Sequence, residues 1–253
     1  MENSFYTPSE VIKSNIKSAV AKANLPLAKM ILLGLMAGAF IAFGGAASSV
    51  AAHGVADVGL ARSIAGAIFP VGLMLVVFTG SELFTGNSLM IMAVIDKKIT
   101  LLKMIRNLVV VYFANFIGAL IIDVLVFLSG QFDFSGGGLG AYTIKVALAK
   151  TSIAPVTAVI SGILCNILVC LAIVLAGTAK DSIGRIFDFF LLRLLLCAAL
   201  NTVWQICFTY RQECLRLQIR PMFKRHMSCT ELRHSSAVAL HILREQNRCC
   251  LLP

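Results

Sequence analysis

The sequence TGSELFTGNS, at residues 79–88, is polar and contains two glycines, yet it interrupts an otherwise apolar segment that runs from 64 to 95. Hydrocarbon offers no partner for a backbone N–H or C=O group, so a loop at that depth persists only where protein surrounds it or where it lines a cavity. Broken helices of this kind form the binding sites of membrane transporters. The stretch therefore predicts a transporter or channel whose second membrane span is broken.

The composition of the whole chain is typical of a membrane protein. Of the 253 residues, 58% are hydrophobic and 13% are charged, and the mean hydropathy is +0.89, outside the usual range of soluble domains. The net charge of +10 arises from short basic clusters between apolar segments, which indicates membrane topology rather than a nucleic-acid-binding surface. We expect no nucleic-acid partner, and no enzyme activity, because no nucleophile and base occur at a workable spacing.

Four apolar segments are long enough to cross about 30 Å of hydrocarbon, at residues 27–52, 64–95, 107–129 and 155–178. Basic residues concentrate before the first segment, between the second and third, and after the fourth, at Lys13, Lys17, Lys22, Lys29, Lys97, Lys98, Lys103, Arg106, Lys180 and Arg185. Because basic loops stay on the cytoplasmic side, this bias predicts a multi-pass protein of the cell (inner or plasma) membrane with its N terminus in the cytoplasm.

Residues 1–26 are predicted to form an amphipathic helix that lies along the membrane surface. Thr7 can cap this helix, Pro8 suits its first turn, and Glu10 lies three residues after the cap, which together are the pattern of a helix start. We assign residues 27–186 to the membrane domain with spans one to four.

The chain changes character after residue 186. All 19 glycines precede this point, whereas the last 67 residues hold eight arginines, six of the eight cysteines and three of the four histidines. The pair Cys249 and Cys250 and the scattered His226, His234 and His241 lack the spacing of metal ligands. We therefore expect no metal site here and treat residues 187–253 as a separate tail.

Four short motifs follow one another within residues 5–187: GSELFTGN at 80–87, ANFIGA at 114–119, ALAKT at 147–151 and GILCNILVCLA at 162–172. In this order they resemble the formate/nitrite transporter family, whose members are pentameric anion channels with an aquaporin-like protomer. The resemblance implies an all-α membrane protein with this fold, with four to five spans here instead of six. It also implies a homopentamer, small monovalent anions (formate or nitrite) as substrates, and no cofactor.

The resemblance also implies which residues form the pore, namely Thr85, Lys150, Asn166, Phe69, Leu73 and Phe84. In the family a threonine of the broken segment takes part in gating, which matches Thr85. A lysine before the fourth helix and an asparagine within it attract and orient the anion, which matches Lys150 and Asn166. A phenylalanine and a leucine form a constriction, which matches Phe69 and Leu73.

Each of these residues also has a purely structural interpretation. Thr85 could cap a helix, and Lys150 could be an interfacial lysine that extends its ammonium group to water. Asn166 could serve helix packing, and Phe69 and Leu73 could be core residues.

Three further polar residues lie in or beside the predicted spans. A charge at mid-membrane costs at least about 2.5 kcal/mol, so we expect Glu82 to bond amides of the loop or to be protonated. Asp123 is expected to face a protein interface, and His53 to lie exposed at the end of the first span.

In the family, the fifth helix carries Gly-x-Glu-His-x-x-Ala-Asn-Met and a sixth helix follows, and neither occurs in residues 187–253. When the codons for 200–214 are read from the last base of each preceding codon, they permit Glu-His-Ser-Val-Ala-Asn-Met. The alanine holds for every choice of codons, because the codon of Trp204 ends in G and each codon of Gln205 begins with CA, which together read GCA in the shifted frame. This pattern predicts a frameshift near Phe187 that replaces spans five and six by an aberrant tail.

Three functional hypotheses follow. The first is transport of formate, nitrite or a similar small anion through a channel-like pore. The second is a non-transporting fragment of such a transporter, because the tail replaces the fifth helix, which carries the motif histidine in the family. The third is an aquaporin-like channel for neutral solutes, although the paired Asn-Pro-Ala loops of that class are missing.

Overall fold

The computed structural model describes residues 5–151, 153–181 and 184, apart from the side chains of 148–151 and 155. The helices are α1 (Pro8–Ala23), α2 (Leu27–Ala52), α3 (Val58–Ile68), α4 (Pro70–Thr79), α5 (Phe84–Asn87), α6 (Ile91–Ile95), α7 (Leu101–Leu128), α8 (Gly138–Thr151) and α9 (Pro155–Ala176), with short 3-10 turns at Ser88–Met90 and Gln131–Asp133. The predicted tail, 187–253, lies outside the described residues. The all-α fold class is confirmed.

Among the described residues, four helices are long and apolar enough to cross a membrane, at Leu27–Ala52, Val58–Thr79, Leu101–Leu128 and Val156–Ala176. The predicted start of the second, broken crossing at 64 is wrong, whereas its predicted end at 95 matches the last residue of α6. The crossing begins at Val58 because Asp57 Oδ1 caps it by accepting from the Leu60 amide at 2.7 Å, and the part before the break ends at Thr79. Residues 84–95 form separate short helices beyond the break.

The third crossing begins earlier than the predicted residue 107. The hydroxyl of Thr100 accepts from the Lys103 amide at 3.4 Å and caps α7 one residue before Leu101. Lys103 and Arg106 therefore belong to the first turns of this helix, where long basic side chains can reach the interface while their stems lie against apolar surface.

Helices α2 and α7 approach closely because glycines remove side chains from their contact. A Cβ atom on Gly38 would collide with the backbone of Asn115, and a Cβ atom on Gly118 would collide with the backbone of Leu35. A Cβ atom on Gly34 would lie 2.6 Å from Ala114 Cβ. Small residues drive helix association in membranes because they let backbones come together.

The surface helix α1 begins as predicted, with Thr7 as its cap. Thr7 and Glu10 form the reciprocal capping box, in which Thr7 Oγ1 accepts from the Glu10 amide at 3.4 Å and the Glu10 carboxylate accepts from the Thr7 amide at 2.8 Å. These hydrogen bonds from the Thr7 backbone and side chain hold the pKa of Glu10 below its usual value. The apolar side of α1 packs against α6 and the residues around it, in a cluster of Ala19, Ala23, Met90, Ala93 and Ile99.

Candidate functional site

The break after the fourth helix starts at a glycine in the left-handed conformation. Gly80 has φ 66° and ends α4, and the Ser81 amide turns back to the Val76 carbonyl at 2.9 Å. Such a left-handed residue terminates a helix without exposing its last carbonyls. The chain then runs through Ser81, Glu82 and Leu83 to α5, so the structure confirms the predicted break.

Asn115 on α7 supplies the hydrogen bonds that water would give to this break. Its Nδ2 atom donates to the carbonyl oxygens of Gly34 at 2.7 Å and Glu82 at 2.8 Å, and its Oδ1 atom accepts from the Phe84 amide at 2.9 Å. The side chain is fully buried. One amide therefore joins α2, the break and α5, which is how irregular backbone is tolerated at membrane depth.

Glu82 is almost completely buried, with 3% of its side chain exposed, and an ammonium group compensates its charge. Lys22 Nζ lies 3.4 Å from Glu82 Oε1, and Asn87 Nδ2 donates to Glu82 Oε2 at 2.7 Å. The expectation that Glu82 bonds an amide of the loop is confirmed by the side-chain amide of Asn87, whereas the ion pair with Lys22 was not expected. Its partners are side chains because α1 folds under the break and brings Lys22 to it.

The hydrogen bonds around Glu82 extend to Asn107 on α7 and form a closed ring. Lys22 Nζ donates to Asn87 Oδ1 at 2.8 Å, Asn87 Nδ2 also donates to Asn107 Oδ1 at 2.7 Å, and Asn107 Nδ2 donates to the Lys22 carbonyl oxygen at 3.3 Å. We call Lys22, Glu82, Asn87 and Asn107 the polar ring. Because each member is hydrogen-bonded to others, the ring fixes α1 relative to the break.

A cavity of about 510 Å³ opens between α1 and the break. Two lysines, Lys22 and Lys29, line it together with Glu82. Leu73 and Leu83 also line the cavity, and both belong to one apolar cluster with Ala37, Val76, Ala172 and Ala176. The cavity thus has lysines in one part of its lining and an apolar cluster in another.

The two residues predicted to form a constriction, Leu73 and Phe69, lie in different surroundings. Leu73 is fully buried and lines the cavity, and its role in a constriction stays a prediction. Phe69 is buried where α3 meets α4, and neither the apolar cluster nor the cavity lining includes it. Leu83, which the sequence interpretation did not select, takes the place beside Leu73. The sequence feature that could have identified Leu83 is its position directly after the polar Glu82.

Thr85 and Asn166 take part in neighbouring contacts between α9 and the segment that follows the break. Thr85 is buried, and its carbonyl oxygen accepts a weak hydrogen bond from Cys170 Sγ at 3.5 Å. One turn earlier on α9, Asn166 Nδ2 donates to Ser88 Oγ at 3.2 Å. The structure therefore brings together two of the predicted pore residues that are 81 positions apart in the sequence.

The remaining predicted pore residues lie elsewhere. The ring of Phe84 packs edge-to-face on Tyr112 of α7, with ring centroids 5.5 Å apart, so it faces α7 rather than Asn166. Lys150 lies near the end of α8, and its side chain is outside the described part of the structure.

Two other expectations concern polar residues outside this site. His53 ends α2 as expected and is only half-buried, with Nδ1 2.6 Å from the Val50 carbonyl oxygen and Nε2 2.9 Å from Ser135 Oγ. Asp123 is 1% exposed within this chain. Asp123 therefore faces protein rather than lipid, as expected, because the packing of this chain covers it.

Comparison with known sequences gives one family and several curated relatives. The family model for the formate/nitrite transporter matches residues 9–201. A probable formate transporter of Methanothermobacter thermautotrophicus is 37% identical over 205 residues, which cover 74% of this chain and 75% of the relative. A formate channel of Bacillus thuringiensis is 36% identical and a formate channel of Haemophilus influenzae 35% identical, covering 72% of this chain in each case and 71% and 64% of the relatives.

Comparison with solved structures identifies the same fold. A chain described as an FNT family ion channel superposes with a TM-score of 0.70 at 25% identity and covers 81% of this chain and 82% of that chain. A pentameric formate channel with formate bound superposes with a TM-score of 0.67 at 27% identity and covers 76% of each chain. Together with the protein-enclosed break in the second helix, these matches show that the chain belongs to the formate/nitrite transporter family.

Proposed function

We propose that this protein builds a channel-like path for small monovalent anions, with formate as the first substrate and nitrite as the second. The observation that carries the proposal is the break at Gly80 to Leu83, which protein surrounds and which opens on one side to a cavity lined by Lys22 and Lys29. Relatives that are 35–37% identical are described as formate transporters or channels, and this supports formate.

The residues at the break suit the steps of anion passage. Lys22 and Lys29 raise the local concentration of anions in the cavity, because positive charge in a cleft attracts them. Leu73 and Leu83 then limit the size of the permeating species and remove water from it. Beyond this constriction, Thr85 and Asn166 provide polar groups at the contact of α5 with α9, and Lys150 attracts the anion from the far side.

The proposal includes a membrane location and an assembly. The protein lies in the cell membrane with its N terminus in the cytoplasm, so that the lysine-lined cavity opens to the cytoplasm. Helix α9 exposes a row of apolar side chains, at Val156, Val159, Ile160, Ile163, Leu164, Ile167, Leu171 and Leu175, which lipid or further copies of the chain would cover. A relative of similar fold is described as pentameric, which supports a homopentamer here.

The tail favours a second candidate, a product that does not transport. The change in composition after residue 186 and the family motif permitted in a neighbouring reading frame both indicate a frameshift near Phe187. The family match ends at residue 201, beside the codons that permit Glu-His in the alternative frame. On this account the described residues build their part of the path, and the 253-residue product conducts poorly until the frame is restored.

Formate uptake into liposomes tests the proposal, with nitrite as a second substrate and a neutral solute of similar size as a control. An anion path predicts saturable uptake of formate and little uptake of the neutral solute. Uptake of the neutral solute alone would indicate an aquaporin-like channel instead. Sequencing the gene across codons 185–215 decides the frameshift independently of any flux.

A further inference from the structure

Ser88 and Asn166 form a hydrogen bond whose direction is fixed by a third group. Asn166 Nδ2 donates to Ser88 Oγ at 3.2 Å, while the Ser88 hydroxyl points its own proton to the Phe84 carbonyl oxygen at 3.5 Å. Ser88 therefore accepts from the amide of Asn166 and does not donate to it. The amide is held with its nitrogen toward the break.

The other end of the same amide has no hydrogen-bond partner in the described part of the chain. Asn166 Oδ1 is buried and accepts no hydrogen bond from the described residues. Buried side-chain oxygens are nearly always hydrogen-bonded, and one that is not calls for an explanation such as a group that binds there in use. An amide oxygen only accepts hydrogen bonds, so the group that completes this site must bring a donor.

We propose that Ser88 is a positioning residue, which orients the Asn166 amide so that its oxygen is the free group presented to the permeating species. This inference rests on the proposed function and specifies the chemistry of the same site. The species at Asn166 presents an O–H group, and this O–H belongs either to a protonated weak acid or to a water molecule that hydrates the anion. A bare carboxylate oxygen placed at the same point would be repelled.

The position of Ser88 makes a clean test possible. Ser88 starts a short 3-10 turn, and among the described residues its hydroxyl bonds only to Phe84 of α5 and to Asn166. Ser88→Ala removes this hydroxyl and lets the Asn166 amide rotate, whereas Ser88→Thr keeps a hydroxyl. Ser63→Ala serves as a matched control, because Ser63 Oγ donates to the Gly59 carbonyl of its own exposed helix at 2.9 Å.

The first measurement does not depend on transport. Nuclear magnetic resonance of the 253-residue chain with 15N-labelled asparagine resolves the side-chain amide of Asn166, and the loss of one signal in Asn166→Leu assigns it. We expect one amide proton that exchanges slowly with solvent in the original chain and in Ser88→Thr, and rapid exchange in Ser88→Ala. Slow exchange that persists in Ser88→Ala would overturn the inference.

The second measurement is formate uptake by the frame-restored chain. Ser88→Ala should raise the KM for formate roughly threefold to tenfold, the factor that one neutral hydrogen bond represents, with the maximal rate changed less than about twofold. Ser88→Thr should restore the KM, and Ser63→Ala should leave it unchanged. An equal KM in Ser88→Ala would also overturn the inference.

Comparison with nitrate separates the two sources of the O–H group. Nitrate carries no proton near neutral pH, so a protonated acid at Asn166 predicts an effect of Ser88→Ala on formate that grows as the pH falls, with no effect on nitrate. A hydrating water predicts the same effect on both anions at every pH. Absence of formate uptake from the frame-restored original chain would refute the proposed function, and the magnetic resonance comparison would then decide the role of Ser88 alone.

Discussion

Lys22 Nζ donates to Asn87 Oδ1 at 2.8 Å, although Lys22 lies on the surface helix α1 and Asn87 ends the short helix α5 behind the break. The same ammonium lies 3.4 Å from the carboxylate of Glu82. Helix α1 therefore supplies the cation that the described residues place against a buried carboxylate. The conformation of the break depends on the position of α1.

Lys22→Met should destabilise the protein, because Glu82 then stays buried without its cation. Hydrogen bonds to charged groups are worth about 1.5 to 3 kcal/mol, and we expect a loss of this size in thermal unfolding in detergent. Lys17→Met is the control, since Lys17 is exposed on the same helix and should have little effect. Adding Glu82→Gln to Lys22→Met should recover part of the loss, and equal unfolding temperatures for the two single variants would contradict the polar ring.

Gly38→Ala should separate α2 from α7, because the new Cβ atom would collide with the backbone of Asn115. Overpacking of this kind costs about 1 to 3 kcal/mol, and here it also displaces the Asn115 amide from the break. The yield of folded protein should fall. Gly54→Ala is the matched control, because a Cβ atom there meets nothing within 4 Å, and an equal yield of the two variants would contradict the close approach.

Thr85→Val should lower formate uptake without lowering the amount of inserted protein. Valine keeps the volume of threonine but removes its hydroxyl, while the backbone carbonyl that accepts from Cys170 remains. A permeating species that bonds this hydroxyl at a buried site and then loses that bond is destabilised by about 1 to 3 kcal/mol. Thr85→Ser, which keeps the hydroxyl, should retain uptake, whereas full uptake in Thr85→Val would show that Thr85 has no role in permeation.

Lys150→Met should weaken anion capture while keeping an apolar stem of similar length. We expect reduced uptake at low formate concentration and recovery at high concentration, measured as a raised KM. Lys145→Met is the control, since Lys145 is an exposed lysine of the same helix. Equal uptake at every concentration would indicate that Lys150 is an interfacial anchor.

The local features of this fold could be predicted from the sequence because they depend on neighbouring residues. The capping box of Thr7 and Glu10, the bounds of the first crossing and the break at Gly80 all follow from patterns within a few turns. The start of the second crossing at Val58 was missed, since the charged Arg62 interrupts the apolar residues before 64.

The long-range contacts of the site could not be predicted in the same way. Asn115 occurs in a motif that the sequence analysis quoted, but its three hydrogen bonds depend on how closely α2 approaches α7. Lys22 and Glu82 are 60 positions apart, and no local pattern pairs them. Leu83 joins the apolar cluster of Leu73 only because α4 and the break bring the two residues into one cluster.

The most direct test compares formate uptake into liposomes by the 253-residue chain and by a chain with the reading frame restored near codon 187, at equal amounts of inserted protein. The account predicts saturable uptake by the frame-restored chain, a sharp reduction of that uptake by Thr85→Val, and little uptake by the 253-residue chain. A frame-restored chain that inserts well and takes up no more formate than protein-free liposomes would contradict the proposed anion path.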